Sequence, residues 1–167
     1  MTEDEAIDRL RQLAVERIAY GVVGADRLIG AALDALLAGV DSPSLAQLAG
    51  LTRREEPEAS GLFEAVLDEL ALREGLPATE VGARRLRIRQ LLTQIVRGTV
   101  DPLLGADRVW DLSHSVRWYD TAVAPAVQGL LTAYDCDEND PVRLEEAREE
   151  IRAAARALLV LPEPPEA

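Results

Sequence analysis

The stretch DCDENDPVRLEE, residues 135–146, carries oxygen-bearing side chains at the spacing of a calcium loop. Asp135, Asp137, Asn139 and Glu146 stand at positions 1, 3, 5 and 12 of that pattern. Such a loop also needs a glycine at its sixth position for the sharp turn. Here that position is Asp140, and the ninth is Arg143, a cation beside the metal. The same residues have a simpler use. Asp140 is a good N-cap, Pro141 suits the first helical position, and Glu145 and Glu146 lie near the positive end of the helix dipole. The expectation is therefore a helix start and no bound metal. Asp135, Asp137, Asn139 and Glu146 are the candidate ligands of the competing metal reading.

Two further groups of residues could do chemistry. Between Val81 and Val100 there are five arginines (Arg84, Arg85, Arg87, Arg89 and Arg97) and no acid. Guanidinium forks bind oxyanions in two-pronged fashion, so Arg84 and Arg87 are candidate anion ligands. The alternative, favoured because the chain holds 30 acids, is that these arginines pair with carboxylates of neighbouring helices. The stretch VWDLSHSVRWYD holds both tryptophans and the sole histidine. On a continuous helix Trp110, His114, Arg117 and Trp118 share one face. With Arg84 and Arg87 they form the candidate ligand-binding set. His114 beside Ser113 or Ser115 also invites a base-and-nucleophile reading. A triad needs convergence in space, which neighbours on one helix rarely provide. No Gly-x-Ser-x-Gly elbow is present, and one His with one Cys, Cys136, cannot build a usual zinc site. The expectation here is an aromatic packing girdle, no catalytic residue and no cofactor.

Composition narrows the function classes. Thirty acidic and 18 basic residues give 167 residues a net charge of −12. A nucleic-acid binder takes much of its affinity from neutralising phosphates and usually carries a basic surface. This chain carries the opposite charge, so no nucleic-acid partner is expected, and its charged partners are expected to be basic proteins. All the basic residues are Arg, as a high-GC genome would give. The start, MTEDEAIDRL, lacks the basic and apolar regions of a signal peptide. No apolar run reaches the roughly 18 residues of a membrane span. The single Cys136 can form no internal disulfide. These features give a cytoplasmic expectation.

The elements that must position these residues follow a helical period almost throughout. Ile7, Leu10, Leu13, Ala14 and Ile18 mark a first helix capped by Thr2 and broken by Gly21 and Gly24. A second helix carries Leu28, Ile29, Ala32, Leu33, Leu36 and Leu37 and is stopped by Gly39. Ser42 and Pro43 start a short third. A fourth is expected from about Pro57 through Leu70. Thr79 caps a fifth, ended by Gly98, on which Val81, Ile88, Leu91, Leu92 and Ile95 form one stripe. Asp101 and Pro102 start a sixth. A helical segment kinked at Pro125 follows, and a last helix runs from about Pro141 to Val160. The spacing predicts an all-α, single-domain bundle of six to eight helices with short loops over 1–161, and a disordered Pro-rich tail at 162–167.

The stretch LAQLAGLTRREEPEA has the outline of a helix-turn-helix. Pro57 would fall inside its recognition helix and Glu55, Glu56 and Glu58 would face phosphates, so ordinary helix–turn packing is expected. The stretches GTVDPLLGADRVWDLS and GVDSPSLAQLAGLTRREEPEASGLFEAVLDEL together resemble a group of small all-helical actinobacterial proteins. The resemblance covers about two thirds of the chain and rests on caps and core positions. It implies a fold class and a source, and no chemistry. The functional expectation is a non-enzymatic, acidic protein-binding module, such as an immunity or inhibitor protein or a regulatory adaptor. The competing reading is a small-molecule or anion-binding protein, or an enzyme, using segment 110–120 and the arginine-rich helix.

Overall fold

Seven α-helices and one 3-10 turn, with no strand, make up the residues described by the computed structural model, 1–113 and 141–161. The all-helical class and the helix count agree with the sequence reading. The segment around Pro125 and the Pro-rich tail lie outside the described residues. Among the described residues no helix is long and apolar enough to cross a membrane. The chain gathers into two compact units, Met1–Ala83 and Arg84–Ala167.

The first unit holds α1 (Glu3–Tyr20), α2 (Ala25–Leu37), α3 (Pro43–Ala49), a 3-10 turn at Glu56–Glu58 and α4 (Ala59–Glu69). Local chemistry sets most of these limits. Thr2 and Glu5 form a reciprocal capping box at the start of α1, which satisfies two backbone donors at once. Glu3, Asp4 and Glu5 sit in its first turn, where the helix dipole favours them. Ser42 caps α3 by accepting from the Leu45 N–H at 3.3 Å. The helix-turn-helix outline does not extend into a second helix at Thr52. There the Thr52 N–H and hydroxyl both donate to Glu55 Oε2, at 2.9 and 2.7 Å, closing a turn instead. α4 begins at Ala59 and not at Pro57, because Pro57 lies within the 3-10 turn.

α2 packs against α1, α3 and α4. Its inward face is Leu28, Ala31, Ala32 and Ala35, all buried. Three alanines there let the neighbouring helices approach closely. Leu10, Leu13, Leu45, Leu48, Phe63, Val66, Leu67 and Leu72 complete this core. Leu33 and Leu37 do not belong to it and are 49% and 80% exposed. They stand four residues apart on the face away from the alanines, so the alanine stripe, not the leucine stripe, defines the inside.

α3 and α4 are also joined by one carboxylate. Glu69, the last residue of α4, accepts from the Ser44 N–H at 3.0 Å, the Ser44 hydroxyl at 2.6 Å and the Ser42 hydroxyl. It thereby satisfies a backbone donor in the first turn of α3 that has no partner inside the helix.

The second unit's described part holds most of α5 (Glu80–Arg97), with α6 (Pro102–Ser113) and α7 (Pro141–Val160). Ile88, Leu91, Leu92 and Ile95 of α5 are fully buried, while Val81, expected in the same stripe, is 41% exposed. A Cβ on Gly105 of α6 would come within 2.5 Å of Ile95 Cγ1, so only glycine allows this approach of α6 to α5. α6 packs on α7. Asp101 caps α6 by accepting from the Leu103 N–H at 3.0 Å, and its other oxygen takes Arg148 Nε of α7 at 3.1 Å. Burial pushes the Asp101 carboxyl up, but the Arg148 bond and the N–H donors of Leu104 and Leu103 outweigh it and hold the group below its ordinary value.

Three helices end in the same way. After α2 the Val40 N–H reaches the Ala35 carbonyl, after α4 Leu72 reaches Leu67, and after α5 Thr99 reaches Gln94. Each such ending needs one left-handed residue. Gly39 at φ 97 and Gly98 at φ 71 supply it for α2 and α5, whereas Ala71 at φ 51 supplies it for α4. A Cβ in that region is strained. Ala71→Gly is therefore expected to raise stability by roughly 0.5–1 kcal/mol, after the added freedom of glycine in the unfolded chain is set against the relief. Denaturant unfolding measures this, and a less stable variant contradicts it. A pH dependence follows from Glu69. The Ser42 hydroxyl first, then the Ser44 hydroxyl and N–H, hold its carboxyl below the ordinary 4.5. A depressed folded value contributes stability above pH 4.5 that is lost as pH falls through that folded value. Glu69→Gln is expected to lower stability at neutral pH and to flatten the loss below pH 4.5, measured by thermal unfolding across pH.

Candidate functional site

The arginine-rich helix is more covered than its wheel suggests. Arg84, Arg85, Arg87 and Arg89 are all half-buried, although Arg87 and Arg89 fall away from the apolar stripe on a helical wheel. Arg87 Nη1 donates to Gln90 Oε1 at 3.1 Å. Each of the four makes polar or electrostatic contacts within the chain. Trp110 is half-buried on α6. Ser113, a candidate nucleophile, is fully buried and donates its hydroxyl to the Trp110 carbonyl at 2.8 Å. That is the ordinary back-bond of a helical serine. His114, Arg117 and Trp118 lie outside the described residues, as do Asp135, Asp137 and Asn139. Glu146 is exposed on α7, which starts at Pro141 as the cap pair predicts. Among the described residues no three His, Cys, Asp or Glu side chains group as a metal site.

The structure instead draws attention to the first unit. Residues 1–80 hold 16 acids and seven arginines. Five of the arginines meet carboxylates. Arg9 reaches Asp34 at 3.4 Å, Arg11 reaches Asp8 at 3.3 Å and Arg27 reaches Glu16 at 2.7 Å. Arg17 and Arg73 converge on Glu64. Glu16 is buried, so its pairing with Arg27 compensates a charge that would be costly alone. Thirteen of the 16 acids are exposed; the exceptions are Glu16, Asp34 and Glu64. The negative excess therefore lies on the surface.

A cavity of about 180 Å³ opens where the two arginines converge. Ala14, Ile18, Leu67 and Leu76 give it apolar walls, and Arg17, Glu64 and Arg73 stand among them with Gly21. Arg17 Nη2 lies 3.3 Å from Glu64 Oε1, and Arg17 Nη1 donates to the Ser60 carbonyl at 3.1 Å. Arg73 Nη2 meets Glu64 Oε2 at 2.6 Å, and the same guanidinium also bonds Asp68 through Nε. Asp68 and then Glu64 raise the already high pKa of Arg73, and Arg73 lowers that of Asp68. Both guanidiniums are thus engaged with carboxylates at the cavity. Gly21 ends α1 in a left-handed turn, φ 77, bonded back to the Arg17 carbonyl at 2.8 Å.

Sequence reading missed this site because Arg17 and Glu64 are 47 positions apart. The spacing of Glu64 and Asp68, which puts two carboxylates on one helix face with Arg73 soon after, was the available signal. No protein-family model, curated protein or solved structure matches the chain.

Proposed function

We propose that the protein is a non-enzymatic, acidic binding module for a basic protein partner, acting in the cytoplasm as an immunity or inhibitor protein or as a regulatory adaptor. The observation that carries this reading is the disposition of charge in the first unit. Five of its seven arginines are engaged with carboxylates, and 13 of its 16 acids are exposed. The side chains leave an excess of nine negative charges over 1–80. An outward field of one sign speeds encounter with a surface of the other sign.

The test begins with a pull-down from the native host, and mass spectrometry identifies the partner. Its association rate is then measured across ionic strength. Steering by the acidic surface predicts a steep fall in that rate between low and physiological salt, with a much smaller change in dissociation. A rate indifferent to salt, or a partner as acidic as this chain, contradicts the reading.

A further inference from the structure

We infer that the cavity between α1 and α4 seats an uncharged aromatic side chain carried on a basic segment of a protein partner. This rests on the function proposed above and adds to it an anchor point and a side-chain class. The volume comes first. A cavity of about 150 Å³ lined by apolar side chains takes benzene, and this one is about 180 Å³. It has room for the ring of Phe or Tyr and little more.

The walls and rim set the chemistry. Ala14 and Leu67 are buried, and Ile18 and Leu76 are half-buried, and they give apolar walls between the charged groups. The charges at the rim compensate one another, with Arg17 and Arg73 set against Glu64 and Asp68. An anion entering here would meet carboxylates already holding the guanidiniums, inside a unit with an excess of nine negative charges. A lysine or arginine head would stand beside two fixed guanidiniums. A neutral ring meets neither penalty and gains from a guanidinium near its face. The residues flanking that ring are another matter. Glu74, next to Arg73 in the chain, is exposed, and the unit as a whole carries nine surplus negative charges, which favours basic neighbours in the partner segment. A buried aromatic anchor within a charged surround is the usual anatomy of an interface hot spot.

The full chain, with its Ile and Leu methyl groups labelled, is titrated by NMR with three probes. These are acetyl-Arg-Tyr-Arg-amide, acetyl-Arg-Ala-Arg-amide and p-cresol. The expected result is saturable shifts at Ile18, Leu67 and Leu76 with the tyrosine peptide. The alanine peptide is expected to bind at least about tenfold more weakly, the loss of a modest anchor. p-Cresol is expected to shift the same methyls, and to bind more weakly than the tyrosine peptide. Leu76→Trp fills the cavity and is expected to abolish the difference between the two peptides. Comparison of the probes on the unaltered chain decides the matter even where that variant does not fold.

Equal binding of the two peptides overturns the inference while leaving the acidic binding surface intact. Shifts confined to other methyls overturn it as well. p-Cresol binding as tightly as the tyrosine peptide overturns the basic-segment assignment, and with it weakens the proposed function, since the flanking arginines then contribute nothing.

Discussion

Glu64 holds two guanidiniums at once, and the first unit is arranged around that sharing. One oxygen takes Arg17 from α1 and the other takes Arg73 from the turn after α4. The interaction ties the end of one helix to the middle of another and to a loop, across 47 and nine positions of sequence. Its partly exposed members contribute modestly to stability on their own. Its larger consequence is geometric. Two long side chains that would otherwise sweep over Ile18, Leu67 and Leu76 are fixed at the sides, and a cavity stays open between them.

The sharing also reflects a general scarcity. A chain with 30 acids and 18 arginines cannot give each carboxylate its own cation. The first unit places its arginines at helix–helix contacts and at buried or half-buried carboxylates, as Arg27 does at Glu16 and Arg9 at Asp34. Other carboxylates find neutral partners, as Glu69 does in Ser42 and Ser44 and Glu5 in Thr2. The unit is therefore well tied internally and strongly negative externally, and the two properties have one cause. In the second unit the same arrangement recurs on a smaller scale, where Arg148 links the N-cap of α6 to α7 and Arg152 bridges Glu145 and Glu149.

Much of the fold was legible because helix ends are written locally. Thr2, Ser42, Asp101, Pro43, Pro102, Pro141, Gly39 and Gly98 act within a few residues of themselves, so their types and spacing are enough. The inward side of a helix is not local. α2 offers both a leucine stripe and an alanine stripe, and only the closeness of α1, α3 and α4 selects the alanines. Leu33 and Leu37 fall outside the core for that reason. Ala71 carries no sign of its left-handed conformation, because a neighbouring hydrogen bond from Leu72 to Leu67 imposes it. The candidate site was illegible for the same physical reason as α2's inner face. Arg17, Glu64 and Arg73 acquire a relation only when the helices pack. The sequence candidates Arg84, Arg87 and Trp110 are half-buried within the second unit, and Arg87 and Ser113 have ordinary helical hydrogen bonds.

The central claim is that the folded chain carries its unneutralised carboxylates on the outside, in a field strong enough to act on other molecules. The thermal unfolding midpoint as a function of sodium chloride tests it directly. Between about 0.01 M and 0.15 M salt the screening length shrinks from roughly 30 Å to 8 Å. Screening weakens both the exposed ion pairs and the repulsion among surplus carboxylates, and the two effects have opposite signs. With pairs of modest worth and a net charge of −12, repulsion dominates. The midpoint is predicted to rise over this range. A midpoint that falls or stays constant would contradict the account, because attraction within the ion pairs would then match or outweigh repulsion among the surplus carboxylates.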